Sequence, residues 1–346
     1  KVAERKYTKY HCGQRMPELW ERSRHTVILV VLAVWGMCMA CMGIASILPP
    51  REEIEFYGQI HVEPLEQYAE DINFYMDGKE IYIAAYEDVL LNKELFQEEL
   101  LAGKKLQRAY IAAGSQVIYA PTFGGNRINL AKHGLTDRIE EINRTLVGYS
   151  RELAGDGVYV AGDITTSGSF ITADGDYTYD DAFKMYQEQV KILADAGIDL
   201  IAAETMINIE ETLAAVDAAN SVCDLPIMCT MTVEADGSIF SGGNAIEAAV
   251  SLEAAGADAV GINCSVGPDQ LVSVVRSIKE NVSIPVIAKP NAGMPTIDDK
   301  GNAVYSMNPE DFASYMKILI ENGASVVGGC CGTTPAFIRA LHDSIR

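Results

Sequence analysis

The sequence predicts an α/β protein built as a (β/α)8 TIM barrel, because three patterns agree from about residue 100 onward. Short apolar runs rich in β-branched residues alternate with helix-patterned segments. Several of these segments end in a glycine just before the next run, as helices do when the chain turns back toward a sheet. The runs are almost continuously apolar, which is typical of parallel strands covered on both faces.

Seven strands are predicted in this way, at residues 116–119, 158–164, 198–203, 226–231, 259–263, 285–289 and 325–328. Helices are predicted between them, among others at residues 181–196, 209–219, 245–255 and 309–322. The glycines that end helical segments are Gly114, Gly197, Gly256 and Gly323.

The first strand of the barrel is uncertain. An eighth strand is needed before the helix predicted at 101–113, and the candidates are residues 72–76, followed by Asp77-Gly78, or residues 81–84. A doubly wound open sheet is the competing fold. Its dinucleotide-binding form is disfavoured, because no G-x-G-x-x-G turn follows a first strand.

Charge divides the chain into two parts. The 346 residues carry a formal net charge of −21, which disfavours nucleic acid as a partner. Residues 1–50 are nevertheless net +4, whereas residues 51–346 are net −25. We therefore predict an atypical N-terminal extension at 1–50 and a barrel domain at 51–346.

Residues 26–50 form an uncharged apolar run that is long enough to cross a bilayer. Arg22 and Arg24 precede it and would keep the N-terminus in the cytoplasm. The alternatives are a cleaved or buried segment and a sequence artefact foreign to the functional protein. Membrane contact is expected only if this segment is a genuine anchor.

Cysteines point to the chemistry of the barrel. Active sites of parallel barrels lie where the strands end, and Cys264, Cys330 and Cys331 each follow directly on a predicted strand. Three thiolates with one open position make a catalytic zinc site. Unrelated buried cysteines are the alternative, and a redox pair is disfavoured because a disulfide between adjacent residues is strained. Cys223 and Cys229 are interpreted as packing residues.

The most specific motifs are Gly-Ile-Asn-Cys-Ser at 261–265 and Gly-Gly-Cys-Cys-Gly-Thr-Thr-Pro at 328–335. Supporting segments lie at 122–127, 203–206 and 290–295. Together these motifs resemble the homocysteine S-methyltransferase family, from about residue 106 to the end of the chain. That family is a zinc-dependent barrel and also forms the first module of cobalamin-dependent methionine synthase.

The resemblance implies that Zn²⁺ bound by Cys264, Cys330 and Cys331 holds the sulfur of homocysteine as a thiolate. This thiolate would attack a methyl group and give methionine. Gly332 and the segment 290–295 favour the methionine-synthase branch. The donor would then be methylcobalamin linked to methyltetrahydrofolate, on separate corrinoid- and folate-binding modules or proteins. The alternatives are S-methylmethionine as donor, another thiol as acceptor, or a non-catalytic scaffold that zinc stabilises.

The resemblance also implies roles for six polar residues at the strand ends. Glu204 is similar to the carboxylate that binds the amino group of homocysteine, and Asn291 to a neutral oxygen near the zinc. Thr122, Asn263 and Ser265 are expected to donate hydrogen bonds in the substrate pocket, or equally to make turn and strand-end hydrogen bonds. Asp77 is expected to be the family's first-strand aspartate, or alternatively to lie in an exposed turn. Pro121 and Asp163 depart from the family pattern.

The two parts of the chain predict different locations. Thiolate chemistry of this kind belongs in a reducing compartment, so we expect a cytoplasmic catalytic domain. A membrane anchor at 26–50 would place the barrel outside, and the longer chemical match is preferred over the shorter hydropathy signal.

Overall fold

The structure is a computed structural model that describes residues 28–31, 93–132, 134–169, 171, 177–297 and 303–346. Eight strands in these ranges are parallel and close into a barrel. They are β1 (Ile28–Val31), β2 (Val117–Ala120), β3 (Tyr159–Ile164), β4 (Leu200–Met206), β5 (Ile227–Met231), β6 (Ala259–Asn263), β7 (Val286–Lys289) and β10 (Ala324–Val327). β10 returns to pair with β1, which confirms the barrel prediction.

Helices connect the strands and cover the outside of the sheet. The described helices are α1 (Lys93–Ala112), α2 (Arg127–Ala131), α3 (Ile139–Ala154), α4 (Tyr179–Asp195), α5 (Ile209–Val222), α6 (Ala245–Ala255), α7 (Val272–Asn281), α8 (Pro309–Glu321) and α9 (Pro335–Ser344). A small antiparallel hairpin, β8 (Pro295–Ile297) with β9 (Ala303–Tyr305), follows β7.

All seven strands predicted from the sequence are present, each within about three residues of its predicted ends. The four glycines predicted to end helices, Gly114, Gly197, Gly256 and Gly323, have φ between 92° and 111°. This left-handed backbone is readily adopted only by glycine. It lets the chain reverse direction and enter the next strand.

The eighth barrel position is filled by β1, not by either segment predicted for it. Ile28 pairs with Val326 of β10, and Val30 pairs with Val117 of β2. Residues 72–76 and 81–84 lie outside the described ranges. Hydropathy alone does not separate a buried strand from part of a membrane span, because both are continuous apolar runs.

β1 also lies inside the segment that was considered as a bilayer span. Its four residues form a strand that pairs on both sides, and the rest of 26–50 is outside the described ranges. No helix among the described residues is both long and apolar enough to cross a membrane. β1 precedes the predicted domain boundary at residue 50, and the division at that residue stays a prediction.

The barrel interior changes from apolar to polar along the strands. Side chains such as Ala161, Leu200, Met228 and Ile287 pack together inside it. Because neighbouring residues on a strand point to opposite faces, the residues two positions further toward the carboxyl end of each strand also face the interior. These positions form a buried polar layer made of Tyr119, Asp163, Glu204, Thr230, Asn263 and Lys289, each at most 3% exposed.

Candidate active site

The three predicted cysteine ligands come together at the mouth of the barrel. Cys264 follows β6, and Cys330 and Cys331 lie in the turn after β10. Their sulfurs all lie within 4.8 Å of one another, and those of Cys264 and Cys331 are 3.4 Å apart. A tetrahedral zinc ion with Zn–S bonds of about 2.3 Å holds its sulfurs about 3.8 Å apart. The donors and their spacing therefore fit zinc with a fourth position left open.

The other two described cysteines do not join this cluster. Cys229 is buried on β5, and Cys223 follows α5. Neither belongs to the group of side chains that could hold a metal ion. None of the five cysteines in the described ranges forms a disulfide.

Backbone hydrogen bonds set the positions of the three clustered cysteines. Cys264 has a φ of 53°, a left-handed conformation that is uncommon for a residue with a side chain. Its amide donates to the carbonyl of Lys289 at 3.1 Å, and the Cys330 amide donates to the carbonyl of Pro290 at 2.8 Å. Surrounding contacts thus hold a conformation that costs about 1–3 kcal/mol by itself.

Two buried amide side chains link the segments that carry the cysteines. Asn263 accepts from the Thr205 amide and donates to the Thr205 hydroxyl, both at 2.8 Å, and its Nδ2 lies 3.9 Å from the Cys330 sulfur. Asn291 accepts from the Cys331 amide at 3.1 Å and donates to the Ser265 carbonyl at 3.2 Å. Asn263 therefore joins the end of β6 to that of β4, and Asn291 joins the segments that follow β6 and β10.

Two predicted pocket donors make turn and strand-end hydrogen bonds. The Thr122 hydroxyl donates to the Asp163 carbonyl at 2.9 Å and accepts from the Asp163 amide at 3.1 Å. The Ser265 hydroxyl donates to the Asn263 carbonyl at 3.1 Å and accepts from the Val233 amide at 2.9 Å. These contacts match the structural alternative for both residues, and contact with a substrate stays a prediction.

Glu204 is buried in an ion pair that the sequence analysis did not predict. One carboxylate oxygen, Oε2, lies 2.5 Å from Lys289 Nζ, which also donates to the Tyr119 hydroxyl at 2.7 Å. Burial alone would lower the pKa of Lys289, but the Glu204 carboxylate and Tyr119 raise it above its usual value. The ion pair with Glu204 therefore favours the charged form of Lys289. The available signal was a lysine at the end of an otherwise apolar strand.

Three oxygens of the buried polar layer have no hydrogen-bond partner among the described residues. They are Asp163 Oδ1, Glu204 Oε1 and Thr230 Oγ1. Burial, and next the Glu204 carboxylate, raise the pKa of Asp163 well above its usual value. Burial likewise raises the pKa of Glu204, while the Lys289 ammonium acts in the opposite direction.

Tyr305, at the end of β9, is a further neighbour of the cysteines that the sequence did not indicate. Burial, followed by the Cys331 sulfur and those of Cys264 and Cys330, raises the pKa of its hydroxyl. Gly332 has a φ of 78°, and a Cβ there would lie 2.3 Å from the Tyr305 ring. Only glycine at this position allows the ring to pack beside the cysteine turn.

Asp77, the predicted first-strand aspartate, lies outside the described ranges. The predicted site residues that the structure does bring together are Cys264, Cys330 and Cys331 with Asn263 and Asn291. Glu204 lies in the polar layer, which Asn263 links to the cysteines.

Comparison with known proteins agrees with this site. A family model described as homocysteine S-methyltransferase matches residues 68–345, a range that includes Asp77 but not β1. The chain is 31% identical over 254 residues to the methionine synthase of Mycobacterium tuberculosis and 30% identical to that of Mycobacterium leprae. Each alignment covers 69% of this chain and 21% of the relative, so the chain spans about a fifth of these relatives' length.

A solved structure has a similar fold. The metallated form of the homocysteine methyltransferase MmuM from Escherichia coli superposes with a TM-score of 0.64 at 18% sequence identity. The match covers 95% of this chain and 99% of that one. Because the family model matches residues 68–345, and the clustered cysteines agree with it, the chain belongs to the homocysteine S-methyltransferase family.

Proposed function

We propose that this chain moves a methyl group to the sulfur of homocysteine and so forms methionine, at a zinc ion held by Cys264, Cys330 and Cys331. The observation that carries the proposal is the cluster of three buried thiols within 4.8 Å at the barrel mouth. Zinc bound there would offer an open fourth position and lower the pKa of a thiol placed at it.

The protein's own residues would position the amino-acid substrate. Asn263 and Asn291 hold the cysteine segments, so the sulfurs keep their arrangement without a substrate. Glu204 would offer Oε1, which has no hydrogen-bond partner among the described residues, to the substrate ammonium, while Lys289 holds Oε2. Holding the substrate at both ends favours in-line transfer, in which the sulfur–methyl bond forms as the methyl group leaves its donor.

We further propose that the donor is methylcobalamin, remethylated from methyltetrahydrofolate on separate corrinoid- and folate-binding modules or proteins. Gly332, the segment 290–295 and the identity to methionine synthases support this choice over S-methylmethionine. We also propose that the chain works in the reducing cytoplasm, since the three clustered cysteines form no disulfide and zinc ligation needs them reduced.

The test combines zinc analysis with methyl-transfer assays on the wild type and on Cys264→Ser. Homocysteine is the acceptor, and methylcobalamin and S-methylmethionine are compared as donors. We expect one zinc per wild-type chain, activity with methylcobalamin, and loss of both zinc and activity in C264S. Cys229→Ser is the matched control, because Cys229 is equally buried but outside the cluster.

Two outcomes would contradict the proposal. A C264S variant with full zinc and full activity would remove the cluster from the mechanism. A wild type that binds zinc, but whose zinc coordination does not change when homocysteine is added, would favour the non-catalytic scaffold.

A further inference from the structure

We propose, on the basis of the proposed function, that Tyr305 is a positioning residue that acts on the reaction through Cys331. Its hydroxyl donates a hydrogen bond to the Cys331 sulfur. This hydrogen bond stabilises the negative charge that the sulfur cluster gains when the thiolate of the substrate joins it at the metal.

Tyr305 reaches the cysteines from a separate element, the β8–β9 hairpin. It is the last residue of β9 and pairs with Pro295 of β8. Its half-buried ring packs against the cluster of buried side chains that contains Cys264, Cys330 and Cys331. The hairpin thus adds a polar side chain to a site whose cysteines come from the ends of the barrel strands.

The hairpin is fixed to the cysteine turn by its backbone. The Ala292 amide donates to the Cys331 carbonyl at 2.9 Å, and the Met307 amide donates to the Ala292 carbonyl at 3.0 Å. Met307 is two residues beyond Tyr305, so the backbone itself holds the tyrosine near Cys331. Gly332 leaves room for the ring, since a Cβ there would lie 2.3 Å from it. The ring therefore keeps its place beside the turn without a ligand.

The hydroxyl of Tyr305 is the donor in its contact with the cysteines. The side chains of Tyr305 and Cys331 are hydrogen-bonded to each other. A phenol keeps its proton at neutral pH, whereas a cysteine that binds zinc is a thiolate without one. The sulfur can then only accept, and a hydrogen bond to a charged acceptor is stronger than one between neutral groups. Asn263 Nδ2, at 3.9 Å from the Cys330 sulfur, is a second and longer contact.

The site needs such donors because its negative charge grows when the substrate binds. Zn²⁺ with three thiolates carries one net negative charge. A thiol that binds there as a thiolate releases its proton to solvent, and its sulfur adds a second negative charge. Cys264, Cys330 and Cys331 are at most 7% exposed, and buried charge is costly unless it is compensated. Lys289, the one buried cation among the described residues, already pairs with Glu204.

The hydrogen bond should therefore act differently on a charged and on a neutral ligand. Homocysteine brings a thiolate to the metal, whereas methionine has the same amino-acid end but a neutral thioether. Loss of the Tyr305 hydroxyl should weaken the binding of homocysteine and leave that of methionine almost unchanged. A ring that merely covers the cysteine turn would influence both ligands alike.

The test compares the wild type with Tyr305→Phe, which keeps the ring and removes the hydroxyl. Binding of homocysteine and of methionine to the zinc-loaded full chain is measured by calorimetry. We expect Y305F to raise the Kd of homocysteine about 3- to 10-fold, which is part of the full effect of a hydrogen bond to a charged group. The Kd of methionine should stay within about 2-fold of the wild-type value.

A spectroscopic measurement decides independently of ligand affinity. Co²⁺ bound in place of zinc gives an absorption band for charge transfer from sulfur to metal. Because a hydrogen bond lowers the energy of the sulfur electrons, we expect this band to move to longer wavelength in Y305F.

Tyr179→Phe is the matched control. The Tyr179 hydroxyl also donates to an anion, the Asp217 carboxylate at 2.6 Å, but it lies on α4 outside the sulfur cluster. Y179F should leave both the absorption band and the ratio of the two Kd values unchanged.

The inference is overturned if the band does not move in Y305F, if the Kd of homocysteine is unchanged, or if both Kd values rise equally. A chain that shows the band shift and the selective loss, but transfers no methyl group, would support the role of Tyr305 while contradicting the proposed function. A wild type that binds neither zinc nor homocysteine would overturn both.

Discussion

Two clusters lie at the mouth of the barrel and are built in different ways. The sulfur cluster of Cys264, Cys330 and Cys331 brings together two turns whose cysteines are 67 positions apart, and backbone hydrogen bonds to Lys289 and Pro290 hold these turns. The charged cluster of Lys289 with Glu204 and Tyr119 joins residues separated by 85 and 170 positions in the chain. The sulfur cluster consists of small, weakly polar side chains that tolerate burial, whereas the charged cluster holds groups that depend on one another.

The comparison predicts that the sulfur cluster serves function more than folding. Replacing Cys331 with Ala removes one of the three proposed zinc ligands, and we expect the rate of methyl transfer to fall by at least about 10³-fold. The free energy of unfolding, measured on metal-free protein in urea, should change by less than about 1 kcal/mol, because only one small side chain at the rim is lost. A metal-free C331A chain that unfolds much more easily would contradict this division.

The charged cluster should contribute much more to the free energy of unfolding. Lys289→Met leaves the Glu204 carboxyl buried without its cation, so we expect a loss of about 3–5 kcal/mol in the free energy of unfolding. Adding Glu204→Gln to K289M should recover part of this loss, because the remaining groups are then neutral.

The control for this prediction is Lys191→Met on α4. Lys191 pairs with Asp195 at 3.2 Å, but its side chain is 65% exposed. Exposed pairs contribute little, so its loss should stay below about 1 kcal/mol. Equal effects of K289M and K191M on the urea midpoints would show that the buried ion pair contributes no more to stability than the exposed one.

The same contrast explains what the sequence could predict. The cysteines next to glycines at strand ends can be recognised in the sequence itself. The alternation of strands and helices then predicts that these cysteines lie on the same rim of the barrel. The pairing of Lys289 with Glu204 and Tyr119 is not visible, because no local pattern states which strands become neighbours across a closed sheet. Asp163 was noted only as a departure from the family pattern.

Short or ambiguous elements account for the remaining differences. The strands of the β8–β9 hairpin have three residues each, too few for a periodic signal, and Tyr305 was therefore missed. Ile28–Val31 lay in a run whose hydropathy suits both a buried strand and a membrane segment. Its pairing with β10 and β2 is a tertiary property.

A smaller effect is expected from the amides that hold the sulfur cluster. Asn291→Ala removes the acceptor for the Cys331 amide and the donor to the Ser265 carbonyl. Loss of such a supporting contact lowers metal affinity about 10- to 100-fold, which a chelator competition titration would measure. Asn281→Ala, at an exposed position on α7, is the control. Unchanged zinc affinity in N291A would show that the conformation of the cysteine turn does not depend on Asn291.

The smallest effect is expected at Thr122, a polar residue at a strand end that could either bind substrate or make structural hydrogen bonds. Its hydroxyl joins the ends of β2 and β3 through two hydrogen bonds to Asp163. Thr122→Val should therefore lower the free energy of unfolding by about 1–2 kcal/mol, the cost of leaving neutral buried groups unpaired. Thr122→Ser, which keeps the hydroxyl, should recover most of it in the same urea titration. A T122V variant with unchanged stability but a raised KM for homocysteine would instead place Thr122 among the substrate donors, and Asp163 would then have to be positioned by other contacts.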